Sequence, residues 1–218
     1  MRSAIAAFAV LGIFSFGSDS VNFDGLKPGT LPPDWSVGIA PGRGAKWAVK
    51  PDASAPSRGN VLEKRTSGSA ESQSPIAVFD KVVCRDGDLS VKFRIDGGGP
   101  VKTAGVVWRY QDPDNYYLLH FSADQRNIAL FRIQNGRPEP VRVTEGKRNN
   151  LAIPHDIRVG QWYVTKVIFR GSRIQVLFGN RLLFEAEDGA ISEPGRAGVW
   201  TKGRTNASFD DFRIEKKG

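Results

Sequence analysis

The residues with the clearest chemical potential lie in one stretch, AGVVWRYQDPDNYYLLHF, from Ala104 to Phe121. It combines a tryptophan, three tyrosines, an arginine and a histidine. Aromatic rings on a β-strand fill a core, or they form a platform on which the C–H face of a sugar ring stacks. A neighbouring arginine or histidine would then bond the sugar hydroxyls. The stretch therefore predicts either core packing or a carbohydrate-binding surface.

The stretch has the pattern of a β-hairpin. Its turn at residues 112–115 is Asp-Pro-Asp-Asn, in which the proline fixes φ and the Asp and Asn side chains bond the local backbone. We expect Arg109 to lie opposite Tyr117 in this hairpin. Trp108 would then lie opposite Leu118. Because successive strand residues point to opposite sides, this register divides the hairpin into two faces.

The two faces differ in chemistry. One predicted face carries Gly105, Val107, Arg109, Tyr117, Leu119 and Phe121. The other carries Val106, Trp108, Tyr110, Tyr116, Leu118 and His120. In a two-sheet sandwich one face packs on the opposing sheet and the other lines the outer, concave surface. If the second face is concave, its three aromatic rings form a stacking platform and His120 adds a polar contact.

We favour the first face as the concave one. An arginine buried in an apolar core without a partner is costly, so Arg109 is expected on the ligand side. Gly105 would leave room for a ligand there, while Arg109 and Tyr117 supply hydrogen-bond donors. Lys202, in the segment GVWTKG, is expected to join this polar cluster from a neighbouring strand.

The elements that position these residues are strands. In DLSVKFRID, from Asp88 to Asp96, apolar and polar residues alternate, which is typical of a half-buried antiparallel strand. Similar short segments recur to the end of the chain, and 24 glycines and 13 prolines punctuate them. Residues 18–218 are therefore predicted to form a single all-β domain, an antiparallel sandwich.

The amino-terminal segment, residues 1–17, is a predicted signal peptide. Arg2 provides a short basic region, residues 4–16 are apolar, and Ser15 and Gly17 suit cleavage after Gly17. An uncleaved membrane anchor is the alternative, although the apolar run is short for a bilayer. We expect an exported protein, periplasmic or extracellular, without membrane insertion after cleavage.

The composition argues against several classes of function. The formal net charge is +8, but lysines and arginines are scattered among acidic residues. An exported protein without a basic stripe is a poor candidate for nucleic-acid binding. Attraction to acidic polysaccharides or to an anionic envelope surface stays open. The single cysteine, Cys84, lies at a predicted strand end, which favours a half-buried structural thiol over a nucleophile.

One family resemblance extends over four segments, residues 47–65, 104–121, 160–188 and 195–214. Together they resemble exported bacterial domains of the concanavalin A-like lectin/glucanase superfamily. Such domains are commonly grouped with the 3-keto-disaccharide hydrolase domain family and described as family-sixteen-like glycoside hydrolases. The resemblance implies a jelly-roll β-sandwich with one concave sheet over nearly the whole mature chain. It also implies a small residue, an arginine and a tyrosine at the positions of Gly105, Arg109 and Tyr117.

The superfamily contains lectins, hydrolases and lyases, so the fold alone does not decide the chemistry. A retaining glycosidase needs two carboxyl groups about 5 Å apart. The Glu-x-Asp-x-x-Glu signature of family-sixteen glucanases is absent from this sequence. Glu185 and Glu187 share a strand face, but they lie at a strand end where a solvated edge is expected. We therefore assign no catalytic residue.

We expect no cofactor, with a structural Ca²⁺ as the alternative. Asp24, in NFDG, and Asp210 or Asp211, in ASFDDFRI, would supply oxygen ligands where the first and last strands meet. A hydrogen-bonded turn is the favoured alternative for these residues. The two histidines, His120 and His155, do not have the spacing of a zinc site.

We expect a monomeric, lectin-like domain that binds a carbohydrate or polysaccharide. Its concave sheet would hold the glycan through Arg109, Tyr117, His120 and the neighbouring aromatic residues. The alternative is an enzyme acting on glycosidic bonds, either a glycoside hydrolase or a uronate lyase. The lyase would use a Tyr or His base, with Arg109 or Lys202 neutralising the uronate carboxylate. A third interpretation is an envelope structural or interaction domain without a sugar site.

Overall fold

The structure, a computed structural model, describes residues 18–38, 45–66, 71–145 and 148–218. Within these ranges every regular element is a β-strand, which confirms the predicted all-β class. The predicted signal peptide, residues 1–17, lies outside the described residues. No helix in the described ranges is long and apolar enough to cross a membrane.

The described residues form eighteen strands. They are β1 (Ser18–Val21), β2 (Trp35–Gly38), β3 (Ala45–Pro51), β4 (Asn60–Thr66), β5 (Ile76–Cys84), β6 (Asp86–Gly97), β7 (Thr103–Asp112), β8 (Asn115–Ser122), β9 (Asn127–Gln134), β10 (Arg137–Pro140), β11 (Val143–Glu145), β12 (Arg148–Asn150), β13 (Ile153–Pro154), β14 (Trp162–Arg170), β15 (Arg173–Phe178), β16 (Arg181–Glu187), β17 (Gly195–Thr201) and β18 (Asn206–Lys217).

These strands make two antiparallel sheets. A ten-stranded sheet has the order β12-β11-β16-β15-β14-β6-β18-β4-β3, with β1 paired to β18. An eight-stranded sheet has the order β10-β9-β8-β7-β17-β5-β2, with β13 paired to β9. Neighbours in space are often distant in sequence, as in the pairing of β7 with β17. The predicted antiparallel sandwich is confirmed.

The core lies between the two sheets and follows strand alternation. In β6, the residues Leu89, Val91, Phe93 and Ile95 are each at most 1% exposed, as their alternation predicts. Phe93 stacks on Phe121 of β8 with ring centroids 4.2 Å apart, so the two sheets meet through aromatic contacts. Because each strand presents every second side chain to this layer, the pattern of one strand fixes its inner face.

Strand β7 contains a β-bulge that overturns the predicted hairpin register. Trp108, not Arg109, lies opposite Tyr117, and Val107 lies opposite Leu118. The register then shifts between Trp108 and the turn, and Arg109 adopts a left-handed φ of 46°. A bulge inserts an unpaired residue and restarts the alternation beyond it. The observed pairing of β7 with β8 differs from the predicted one by one residue. Side chains of β7 that were predicted to share a face with given side chains of β8 therefore point to the opposite side of the sheet, and each predicted face contains both inner and outer side chains.

The outer faces of the two sheets differ. The ten-stranded sheet carries ion pairs on its outer face, among them Lys92–Asp211, Arg94–Asp52, Lys166–Asp88 and Lys50–Glu63. The outer face of the eight-stranded sheet, here called the open face, carries a second apolar cluster. Its buried members are Ile76, Val78, Val107, Tyr110, Tyr116, Leu118, Ile133 and Trp200. The open face is therefore a recessed apolar surface rather than a solvated one.

Candidate ligand-binding cleft

A cleft of about 820 Å³ lies on the open face. Its floor is built from β8, β9 and β17, and loops on either side raise its walls. The floor residues are Tyr116, Leu118, His120, Phe131, Ile133 and Trp200. A largely apolar and aromatic concavity of this size, with a few polar groups, has the usual composition of a small-molecule site.

The strand register places the rings of the cleft side by side. Trp200 of β17 lies opposite Gly105 of β7, and Gly105 lies opposite His120 of β8. A Cβ atom at Gly105 would come within 2.6 Å of the Leu119 carbonyl oxygen and 3.3 Å of the Trp200 ring. The glycine therefore lets the rings of Trp200 and His120 approach each other across β7, with centroids 6.0 Å apart.

His120 is the central polar group of the cleft. Its imidazole is flanked edge-on by Phe131, with centroids 5.6 Å apart, and by Trp200. Burial between these rings lowers the pKa of His120 to about 4, so the ring is neutral near pH 7. Its Nδ1 atom is buried and has no hydrogen-bond partner among the described residues. A ligand hydroxyl could bond that nitrogen.

A cation and a carboxylate lie at the same end of the cleft as His120. Lys202 donates from Nζ to the Ser72 carbonyl oxygen at 3.1 Å and to Ser74 Oγ at 3.4 Å, and burial lowers its pKa. Asp124 accepts at Oδ1 from the backbone N–H of Lys102 at 2.9 Å. Both side chains line the cleft. This end therefore offers charged and neutral polar groups to a ligand.

The loop that carries Lys202 is held by a buried lysine. Lys64 is 0% exposed and donates from Nζ to the carbonyl oxygens of Gly203, at 2.9 Å, and Thr205, at 2.8 Å. Burial lowers the pKa of Lys64 to about 8. These bonds fix the backbone just beyond Trp200 and Lys202, so Lys64 positions one wall of the cleft without lining it.

Four residues predicted to bind a ligand lie on the open face or at its rim. Tyr116, His120 and Lys202 line the cleft. Tyr110 belongs to the same apolar cluster but lies outside the lining, packed on Tyr116 with ring centroids 5.7 Å apart. The guanidinium of Arg196 lies 5.4 Å from the Tyr110 ring centroid. The prediction that Lys202 joins Arg109 is therefore wrong, and Lys202 instead lines the cleft with His120.

Arg109 does not lie on the open face, and the expectation that it would is wrong. Its side chain is 1% exposed and points into the interior at one end of the sandwich. It donates to the carbonyl oxygens of Arg85 at 2.8 Å, Ile191 at 2.8 Å and Gly171 at 2.6 Å. Asp86 lies 3.4 Å away. The interior supplies the partners whose absence would have made burial of the guanidinium costly.

Trp108 and Tyr117 are also interior residues, which corrects both predicted face assignments. Each is 0% exposed, and their rings stack with centroids 5.5 Å apart. The Tyr117 hydroxyl donates to Asp188 Oδ1 at 2.5 Å, and burial raises the pKa of Tyr117 to about 12. The bulge at Arg109 places Trp108 and Tyr117 opposite each other on the inner face. Neither side chain is accessible to a ligand in the cleft.

Sequence reasoning missed two rings of the cleft, Trp200 and Phe131. Trp200 is two residues before Lys202 in GVWTK, so strand alternation places both side chains on one side of the sheet. The predicted ligand-binding role of Lys202 could therefore have been extended to Trp200. Phe131 belongs to the run from Ile128 to Ile133, in which apolar residues occupy both faces. Such a run indicates a strand covered on both sides. It does not say which side meets a ligand.

Two of the three predicted calcium ligands, Asp24 and Asp210, lie beside the same serine. Asp24 Oδ1 and Asp210 Oδ1 both accept from Ser57 Oγ, at 3.0 and 3.1 Å. Asp211 instead pairs with Lys92 at 2.7 Å. The described residues contain no group of three His, Cys, Asp or Glu side chains suited to a metal ion. The contacts are those of the hydrogen-bonded turn considered above, and calcium binding stays a prediction.

The candidate acidic pair on β16 lies away from the cleft. Glu185 is on the outer face of the ten-stranded sheet, where its Oε1 accepts from Gln175 Nε2 at 2.7 Å. Glu187 lies opposite Arg173 in the neighbouring strand and is exposed. Neither residue contributes to the lining of the open face.

The sequence matches no family model and no curated protein. Solved structures do resemble it. The carbohydrate-binding module CBM66 from Bacillus subtilis has a TM-score of 0.64 at 19% identity, over 84% of this chain and 96% of that one. A β-glucanase from Bacillus licheniformis has a TM-score of 0.59 at 10% identity, over 94% and 100%.

A third solved structure is a Bacillus subtilis protein of unknown function with a galectin-like fold. It has a TM-score of 0.56 at 12% identity, over 84% of this chain and 89% of that one. At these identities the likeness concerns the fold and not the function. It confirms the predicted fold, a jelly-roll sandwich of two antiparallel sheets.

Proposed function

We propose that the chain is a glycan-binding domain that holds a sugar in the cleft of the open face. The observation that carries the proposal is the arrangement around His120, whose imidazole contacts the rings of Phe131 and Trp200 and whose buried Nδ1 has no partner among the described residues. A sugar presents an apolar C–H face to such rings and hydroxyl groups to polar atoms. Lys202 and Asp124 supply further polar contacts at the same end.

The proposal includes export. It rests on the basic, apolar and small-residue pattern of residues 1–17, which is that of a signal peptide. The mature domain would then meet polysaccharides or other carbohydrates in the periplasm or outside the cell, acting as a monomer. The carbohydrate-binding module that shares this fold supports the same class of ligand.

Phe131→Ala is expected to weaken glycan binding about tenfold, because the half-buried ring forms part of the stacking surface. A glycan array identifies the ligand, and titration calorimetry then compares the variants. Trp162→Ala is the matched control, since Trp162 is a half-buried aromatic residue on the ten-stranded sheet. Absence of any glycan above background, or equal loss in both variants, would contradict the proposal.

The cleft does not present the carboxylate pair of a glycoside hydrolase. Within its described lining the carboxylates are Asp114 and Asp124. They flank the two ends of β8, a strand of eight residues that spans about 24 Å. Hydrolases with two catalytic carboxylates hold them about 5 to 9.5 Å apart. Binding is therefore the better-supported function of this surface.

A uronate lyase is the second candidate, favoured by a neutral His120 at the same end of the cleft as Lys202. The imidazole would remove the proton on the carbon next to the uronate carboxylate, whose charge Lys202 neutralises. The electron pair of that C–H bond would form a carbon–carbon double bond as the adjacent C–O bond breaks, and the departing sugar oxygen would take up a proton from water. Ultraviolet absorbance of the unsaturated product on uronate polymers tests this reaction. Activity that persists in His120→Gln, or no activity in the wild type, would exclude His120 as such a base.

A further inference from the structure

The lining of the cleft is polar near one end of β8 and apolar near the other. At the carboxyl end of the strand lie His120, Asp124, Gln125 and Lys202, together with Ser72 and Ser74. Two of their polar atoms have no hydrogen-bond partner among the described residues. His120 Nδ1 is unpartnered, and the bonds that Asp124 accepts from described residues all go to Oδ1, which leaves Oδ2. Hydroxyl groups of a ligand would satisfy both.

At the amino end of β8 the lining is apolar. Tyr116 lies opposite Ile133, and Leu118 lies opposite Phe131, so the four side chains form a continuous patch. Pro113 and Pro138 extend this patch to the rim. Within the described lining, Asp114 is the one charged residue at this end, and it is exposed.

The two ends are far enough apart to hold different chemical groups. Tyr116 and His120 are four positions apart on an extended strand, a distance of about 14 Å. The cleft volume of about 820 Å³ lies in the range of sites for a complete small molecule. A ligand of two parts could therefore occupy both ends at once.

The apolar end would be a poor site for a second sugar. Sugar hydroxyls placed against Leu118, Ile133 and the two prolines would lose water without gaining a partner. An apolar group placed there would instead remove hydrocarbon surface from water on both sides. We propose, building on the glycan-binding function, that the ligand is a glycoside with an apolar aglycone. The sugar lies at the His120 end and the aglycone at the Tyr116 end.

The test compares methyl and phenyl glycosides of the same sugars, titrated into the intact domain. The phenyl glycoside of any sugar that binds is expected to bind at least about tenfold tighter than its methyl counterpart. Ile133→Thr keeps the branched side chain and should remove most of this advantage, measured as the ratio of phenyl glycoside affinity to methyl glycoside affinity in the same variant. Pro138→Ser should act in the same direction, and because Pro138 is exposed it does not endanger folding.

Gln125→Ala is the control at the polar end. It should weaken binding of both glycosides by the same factor, since Gln125 lines the end of the cleft where the sugar would lie. Equal affinity for methyl and phenyl glycosides would overturn the aglycone assignment and leave glycan binding standing. Phenol that binds as tightly as the phenyl glycoside would also overturn it. If no glycoside binds at all, the proposed function fails and this inference fails with it.

Discussion

Arg109→Ala is expected to lower the free energy of unfolding by about 4 kcal/mol, a large effect for a single arginine. The guanidinium is 1% exposed and bonds three backbone carbonyl oxygens, those of Arg85, Gly171 and Ile191. Alanine would leave these acceptors unpaired in the interior and would empty the volume of the side chain. The substitution therefore tests whether Arg109 joins loops at the end of the sandwich.

Urea unfolding followed by tryptophan fluorescence measures the effect, with Arg126→Ala as the matched control. Arg126 also has a positive φ, 53°, so both substitutions place alanine in a left-handed conformation. Its side chain is 70% exposed and pairs with Asp156 at the surface. Apart from the effect of alanine in a left-handed conformation, loss of this side chain should lower the free energy of unfolding by less than about 1 kcal/mol. Wild-type stability of Arg109→Ala combined with lost glycan binding would restore a ligand-binding role for Arg109.

The second large effect is a pH dependence carried by His120. The pKa of this imidazole is about 4 in the folded protein and near 6.5 when it is unfolded. As the pH falls below 6.5, the unfolded chain takes up the proton first, so the stability that His120 contributes is full above pH 6.5 and is lost toward pH 4. We expect this loss to be about 2 kcal/mol, since the ring is partly exposed.

The measurement is the difference between wild type and His120→Gln in unfolding free energy at several pH values. Glutamine does not titrate, so the acidic residues common to both proteins cancel in the difference. His155→Gln is the control, because His155 packs on Phe178, outside the cleft. Parallel pH profiles for wild type and His120→Gln would show that His120 is not held neutral by the cleft.

Local pattern predicted the architecture well. The alternation in β6, from Leu89 to Ile95, gives the inner face of a strand in any sandwich, because side chains of a strand alternate whatever its neighbours are. The turn at residues 112–115 was equally readable, since Asp112 Oδ1 accepts from the Asp114 backbone N–H at 2.8 Å. Such features depend on contacts within a few residues.

The site was predicted only in part, and the reason lies in β7. The bulge at Arg109 puts a non-glycine residue in a left-handed conformation, for which the local sequence WRYQ has no signal. Strand alternation predicted that Trp108 and Arg109 point to opposite faces, but both side chains are buried in the interior. The residues after the turn were less affected, and Tyr116 and His120 lie on the open face together.

The sequence by itself determined the all-β class, the hairpin, and the pool of aromatic and polar side chains from which a cleft can be built. Only the tertiary structure decided which of them meet. The carbonyl groups that make burial of Arg109 favourable lie 24, 62 and 82 residues away along the chain. Trp200 likewise joins His120 through the pairing of β17 with β7. Contacts between distant segments select one face over the other, and alternation within a strand carries no information about them.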